Sequence, residues 1–173
     1  MNRPYIIIGT LMFSLFGCAG QKSSIPVIND VTTDPYNPPR FVMLAGPKAN
    51  KGRDMGYPKE NIELQQRHYP DIMPVKSKFS ADQAFAKCKS VGLDMSRWDL
   101  VNEDLKDYLL EFTATTAWMR YKDDVVIQVT PERTGSSVHM RSKSRLGKSD
   151  LGANAKRIRK FFLKFRESEK NQR

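Results

Sequence analysis

The sequence has little of the material from which catalytic and metal centres are usually built. It holds two cysteines and two histidines in 173 residues. His68 and His139 fall on different predicted elements, and no His or Cys group has the spacing of a zinc site. Gly147-Lys148-Ser149 lacks the earlier glycine that a phosphate-binding loop needs. Asp123-Asp124 alone offers too few oxygens for a calcium or magnesium site. No internal repeat is visible, and no apolar run reaches the roughly 20 residues that span a bilayer. These absences leave no catalytic residue, metal or cofactor to assign.

What is present begins at the N-terminus. Arg3 precedes an apolar run from Tyr5 to Phe16, and Leu15-Phe16-Gly17-Cys18 follows the layout of an export signal. The last four residues resemble the bacterial lipobox, with Phe16 bulkier than the small residue usual there. The expectation is cleavage after residue 17 and acylation of Cys18, which ties the chain to a membrane through two or three acyl chains at about 0.8 kcal/mol per buried CH₂. Cys88 is then the only thiol left, and no intrachain disulfide can form. Ala19, not Asp, follows the lipidated position, so under Gram-negative sorting the expected location is the outer membrane, facing the periplasm.

The formal charge is +10, and its placement matters more than its size. From His139 to the end there are twelve Lys or Arg against three Asp or Glu; before it, seventeen against sixteen. In an exported protein this local basicity does not point to nucleic acid. Eight of the ten prolines lie between Pro26 and Pro74, which disfavours helix and central strand there. Residues 18–61 therefore read as the lipidated cysteine and a Pro-rich tether and wrapping arm, residues 62–168 as one domain, and residues 169–173 as a disordered tail. An extended tether of that length holds the domain well clear of the bilayer.

Within the domain, Ser80 and Gln83 form a capping-box pattern. Ala81, Ala84, Phe85, Cys88 and Val91 then recur at helical spacing until Gly92. Cys88 on this apolar stripe reads as a buried structural thiol. From Trp98 the period becomes two. Trp98 to Glu103 is a short strand, and Tyr108 to Tyr121 a long one with Leu110, Phe112, Ala114, Thr116 and Trp118 on one face. A turn is predicted at Asp123-Asp124, then an apolar strand face of Val125, Ile127 and Val129, and a last strand from Ser136 to Arg145. A closing helix starts near Ser149 or Asp150 and runs to about Glu167, with Leu151, Ala155, Ile158, Phe162 and Phe165 on its apolar stripe. The expected fold is α+β: an antiparallel sheet of three to five strands with two helices on one face. The opposite, wetter face is left to Glu111, Thr113, Thr115, Gln128, Arg141 and Lys143.

The run from Arg141 through Arg157, Arg-Ser-Lys-Ser-Arg-Leu-Gly-Lys-Ser-Asp-Leu-Gly-Ala-Asn-Ala-Lys-Arg, resembles the signature of the uncharacterised domain-of-unknown-function family 1499. Tyr69-Pro70-Asp71-Ile72 with Pro74, Trp98, and Asp123-Asp124-Val125 add to the resemblance, which spans about residues 62 to 168. It implies a family and no activity. A Cys-x-Ser element that many members carry before the domain is missing from this chain.

Two readings compete for that signature. In the first, Arg141, Lys143, Arg145, Lys148, Ser149, Asn154 and Arg157 hold an anionic envelope ligand, such as phosphate, a lipid headgroup or a sugar phosphate, at a helix start. In the second, Asp123, Asp124 and Asp150 are structural partners, pairing with the arginines and capping the helix. The sequence favours a lipid-anchored, non-enzymatic binding or interaction module. Its alternatives are a hydrolase using Asp123 or Asp124 as general base, and a peripheral domain resting Lys156, Arg157, Arg159, Lys160, Lys164 and Arg166 on anionic lipid. The oligomeric state is not readable.

Overall fold

The computed structural model describes residues 25–170; the predicted signal peptide, Cys18 and Ala19 lie outside them. The elements in chain order are β1 (Asp30–Thr32), α1 (Pro47–Asn50), α2 (Asn61–His68), β2 (Val75–Ser77), α3 (Ala81–Asp94), β3 (Trp98–Asp104), β4 (Leu109–Thr115), β5 (Lys122–Pro131), β6 (Ser136–Ser144) and α4 (Ala153–Lys170). The class is the expected α+β, but the described residues hold six strands and four helices, against the three to five strands and two helices expected. The sheet runs β1-β6-β5-β4-β3, and β2 joins the free end of β6 beside β1. Every pairing is antiparallel.

Alternation puts Leu110, Phe112, Ala114, Val125, Ile127, Val129, Val138 and Met140 on one sheet face. There they pack against α3 and α4 in a single apolar core. Ser80 caps α3 in a complete capping box with Gln83, as the spacing predicts. Gly92 does not end that helix, which continues to Asp94. Its role is closeness: a Cβ there would lie within 2.9 Å of two ring carbons of Phe112 and nearer still to Cζ. α4 begins at Ala153, later than expected, because Leu151 (φ 52°) and Gly152 (φ 81°) take left-handed conformations that hold back the first turn. Leu151 is therefore 78% exposed and off the apolar stripe, which also takes in Phe161, a buried residue the sequence reading leaves out.

The strand boundaries correct two expectations. β4 stops at Thr115, so Thr116 and Trp118 leave the sheet face on which the alternation placed them. The turn is Thr116 to Tyr121, closed by bonds from Thr116 N–H to the Tyr121 carbonyl (2.8 Å) and from Tyr121 N–H to Thr116 Oγ1 (2.9 Å). Asp123 and Asp124 lie inside β5, opposite Ala114 and Thr113. They mark no turn; both are buried.

The larger correction concerns the second sheet face, which is not wet. Residues 33–60 cross it, and Phe41 and Leu44 form a second small core with Leu109 and Val126. Glu111, Thr113, Arg141 and Lys143 are buried beneath this arm. The folded unit thus begins at β1 and not at residue 62. Only six residues lie between Cys18 and Ile25, far fewer than the long spacer expected over residues 18–61. The tail assignment also shifts, since α4 runs through Lys170.

Candidate functional site

The arm is held down by charge brought into the sheet. β6 lies between β1 and β5, so Asp30, Lys143 and Asp124 stand side by side across three strands on the arm face, with Thr113 next on β4. Arg141 grips Asp30 with two parallel bonds, Nε to Oδ1 at 2.9 Å and Nη2 to Oδ2 at 2.7 Å. Lys143 Nζ reaches the same Oδ2 at 2.9 Å. Arg141, only 2% exposed, also donates to the Met55 carbonyl at 3.0 Å and lies beside the Phe41 and Tyr57 rings, 5.0 and 5.6 Å from their centroids. Asp124 accepts from Arg145 Nε at 2.8 Å and from Arg53 Nη2 on the arm at 2.8 Å. Arg145 also donates to Thr113 Oγ1 at 3.1 Å.

Asp123 points the other way, toward the helices, because neighbouring strand residues face opposite sides. It pairs with Arg157 of α4, which also donates to Ser142 Oγ at 2.9 Å and to Asn154 Oδ1. Burial is the largest influence on the Asp123 carboxyl and moves its pKa up, against the opposing pull of Arg157. Asn154 is fully buried: it accepts from Ser142 Oγ at 2.7 Å and donates to the Asn29 carbonyl and Ser144 Oγ, both at 3.0 Å. It ties the head of α4 to β6 and to the residue before β1.

Asp150 takes the place at the helix start that an anion would need. Its Oδ1 accepts from Gly152 N–H at 2.8 Å and its Oδ2 from Asn154 N–H at 2.7 Å. Of the residues proposed for anion binding, Arg141, Lys143, Arg145 and Arg157 are thus engaged by buried carboxylates and Asn154 by backbone and hydroxyls. Lys148 stands exposed and Ser149 half-buried, where its hydroxyl accepts from Leu151 N–H. Asp123 and Asp124 do not converge on a common pocket. The exposed face of α4 is also partly neutralised, with Arg159 bonded to Asp71 and Lys164 to Asp94. Cys88 is fully buried, and burial pushes its thiol pKa well up, which suits a structural thiol.

Sequence reasoning missed two groups. Glu111 was placed on a wet face but is fully buried. Its carboxylate accepts from the N–H groups of Val42, Met43 and Leu44 (2.9, 2.7 and 3.1 Å) and from Asn102 Nδ2 (3.1 Å). Glu111→Gln is expected to cost about 2–3 kcal/mol, since an amide presents one acceptor and an NH₂ group to four donors and strands a buried N–H. Equilibrium urea denaturation checks this. The second group lines a cleft of about 710 Å³ between arm and sheet, with Tyr36, Phe41 and Tyr57 as aromatic walls, Arg40 and Asp107 at the sides and Arg141 contributing beneath. Burial raises the Tyr57 phenol well above its ordinary value, with a smaller push from Asp30, so the hydroxyl stays protonated and donates to Gln65 Oε1 at 3.0 Å. No sequence pattern brings residues 36, 57 and 107 together; the arm's path does.

A twisted antiparallel sheet with two helices on one face and a charge-clamped arm on the other defines the class of the domain. The family model of proteins of unknown function DUF1499 matches residues 30–165, and the chain belongs to that family. The match opens on Asp30, the partner of Arg141 and Lys143. No curated protein matches the chain.

Proposed function

We propose that this is a lipid-anchored envelope protein, held through acylated Cys18 at the outer membrane and facing the periplasm, whose domain is a non-enzymatic binding module for an anionic ligand. One observation carries the ligand reading. Arg40 is exposed and makes no ion pair with a described residue, and it lines the 710 Å³ cleft beside Tyr36, Phe41 and Tyr57. A guanidinium recognises phosphate or carboxylate through paired hydrogen bonds, and aromatic walls with a few polar groups suit an organic body beside the charge. Asn37 and Gln128 supply amides at the same cleft. A sugar phosphate combines these features better than bare phosphate does. The signature's own cations serve the fold in this reading.

The test is an NMR titration of the mature chain with glucose 6-phosphate and, separately, inorganic phosphate. Saturable shifts are expected around Arg40 and Tyr57 with the sugar phosphate. Arg40→Ala is expected to weaken them roughly tenfold or more, the worth of a charge-assisted hydrogen bond, with an unchanged melting temperature. Shifts confined to Lys148 and Ser149 would return the anion to the signature loop, and no saturable shift would end the ligand reading. Mass spectrometry of the purified protein tests acylation of Cys18 independently.

A further inference from the structure

Large apolar side chains are exposed in an unusual concentration at one end of the sheet. The Thr116–Tyr121 turn presents Trp118 (89% exposed), Met119 and Tyr121, and the loop between β6 and α4 presents Leu146 and Leu151. The two loops are neighbours: Tyr121, Leu146 and Leu151 line one shallow cleft with Thr116, and Arg145 N–H bonds the Lys122 carbonyl at 3.2 Å. Four cations ring them. Arg120 and Lys122 flank the turn, Lys148 sits in the second loop, and Arg97 joins through its carbonyl, which accepts from Thr115 N–H at 2.9 Å. All four are exposed and none forms an ion pair with a described residue. The carboxylates at this end are exposed Asp99, half-buried Asp150, bonded to the start of α4, and buried Asp123, paired with Arg157. An apolar tip with an aromatic residue and a collar of Lys and Arg has the chemistry of an interfacial membrane contact.

The path of the chain favours the same partner. Asp150 N–H bonds the Ile28 carbonyl at 3.0 Å and Ser144 N–H the Asn29 carbonyl at 2.8 Å, so the strand leading into β1 emerges at this end. Ile25 packs beside Gly152, next to exposed Leu151, and Ile25 and Val27 are themselves exposed. Seven residues back along the chain is Cys18, a reach of at most roughly 25 Å. A lipid on Cys18 would keep this end within that reach of the bilayer.

We infer that the Trp118 turn and the Leu146–Leu151 loop form a docking surface that inserts into an anionic phospholipid surface, orienting the domain end-on with its arm-side cleft turned toward the periplasm. The orientation draws on the reading of Cys18 as the anchor; the docking does not, and is tested without it.

The experiment uses the mature chain, residues 18–173, carrying Cys18→Ser, with vesicles of phosphatidylcholine alone or mixed with phosphatidylglycerol. Binding is expected only to the mixed vesicles, weakened by salt, and lowered roughly fivefold by each of Arg120→Ala and Lys148→Ala. Trp118→Ser with Leu151→Ser is expected to remove it while leaving the melting temperature unchanged. The chain has two tryptophans, so Trp98→Phe leaves Trp118 as a sole reporter, whose emission should shift to the blue and be quenched by brominated lipid. Failure to bind anionic vesicles, binding that survives the double substitution, or a bound protein whose Trp118 is not quenched overturns the docking surface. So does self-association by sedimentation that depends on Trp118, which would make the tip a protein interface. An acylated Cys18 with any of these results leaves the anchor standing and removes only the docking.

Discussion

Asp30→Ala is expected to destabilise the domain by about 3–5 kcal/mol, the cost of breaking a buried ion pair by removing one partner. The size follows from what remains. Arg141 and Lys143 both direct donors at Asp30, and both are buried. Lys143 can turn its ammonium toward solvent, since its side chain is 10% exposed, but Arg141 lies beneath Phe41 and Tyr57 and cannot. Arg141 is also the link from the sheet to the Met55 carbonyl, so the arm should loosen first. Hydrogen exchange is expected to show protection lost across residues 37–57 before it is lost in α3 or α4, and urea denaturation gives the global cost. The paired change Asp30→Leu with Arg141→Met is expected to recover part of the loss, because it removes Asp30 and Arg141 together and leaves only Lys143, which can turn toward solvent. A domain as stable as the parent after Asp30→Ala alone would mean that the clamp is not holding the arm.

The second large effect is expected from a substitution that looks favourable on paper. Gly92 lies in the last turns of α3, where Ala would ordinarily stabilise a helix by up to about 1 kcal/mol. Here the added methyl would meet the ring of Phe112 well inside contact distance. Phe112 has no room to withdraw: it is fully buried and packs on Trp98, ring centroids 5.3 Å apart, and Trp98 in turn stacks on Phe161 at 6.0 Å. The clash therefore spreads from α3 through β4 and β3 to α4. Overpacking typically costs about 1–3 kcal/mol, so Gly92→Ala should be net destabilising, by about 1 kcal/mol after the helix term is set against it. Calorimetry should show a lower melting temperature, and relief by Phe112→Leu in the same chain would identify the ring as the cause. A melting temperature raised by Gly92→Ala would show that the helix can move away.

Much of the helix-side layer was legible because it depends on local rules. The Ser80–Gln83 box, the apolar stripe through Cys88 and the alternation along β4, β5 and β6 each need only near neighbours in sequence. Where the reading went astray, the cause was a competing partner far away in the chain. Asp123-Asp124 resembles a turn because two acids rarely sit inside a strand; they do so here because Arg157 waits on one face and Arg53 with Arg145 on the other. Glu111 reads as solvated until three backbone N–H groups from residues 42–44 are seen to surround it. The Pro-rich stretch reads as a tether because proline opposes regular structure, and most of it indeed lacks regular structure. It packs all the same, through Phe41, Leu44 and the Arg141 clamp.

Local pattern thus determined the class of fold, the helix-facing core, the structural role of Cys88 and the family, since each is written in residues a few positions apart. Tertiary structure alone decided where four cations of the Arg141 to Arg157 signature sit. Arg141, Lys143, Arg145 and Arg157 find their carboxylates on β1 and β5, across separations in sequence that no period or spacing encodes, and the burial that makes those pairs matter exists only once the arm has crossed the sheet. The same closure decided where Arg40 stands exposed, and which end of the sheet carries both the chain's way out and its exposed tryptophan.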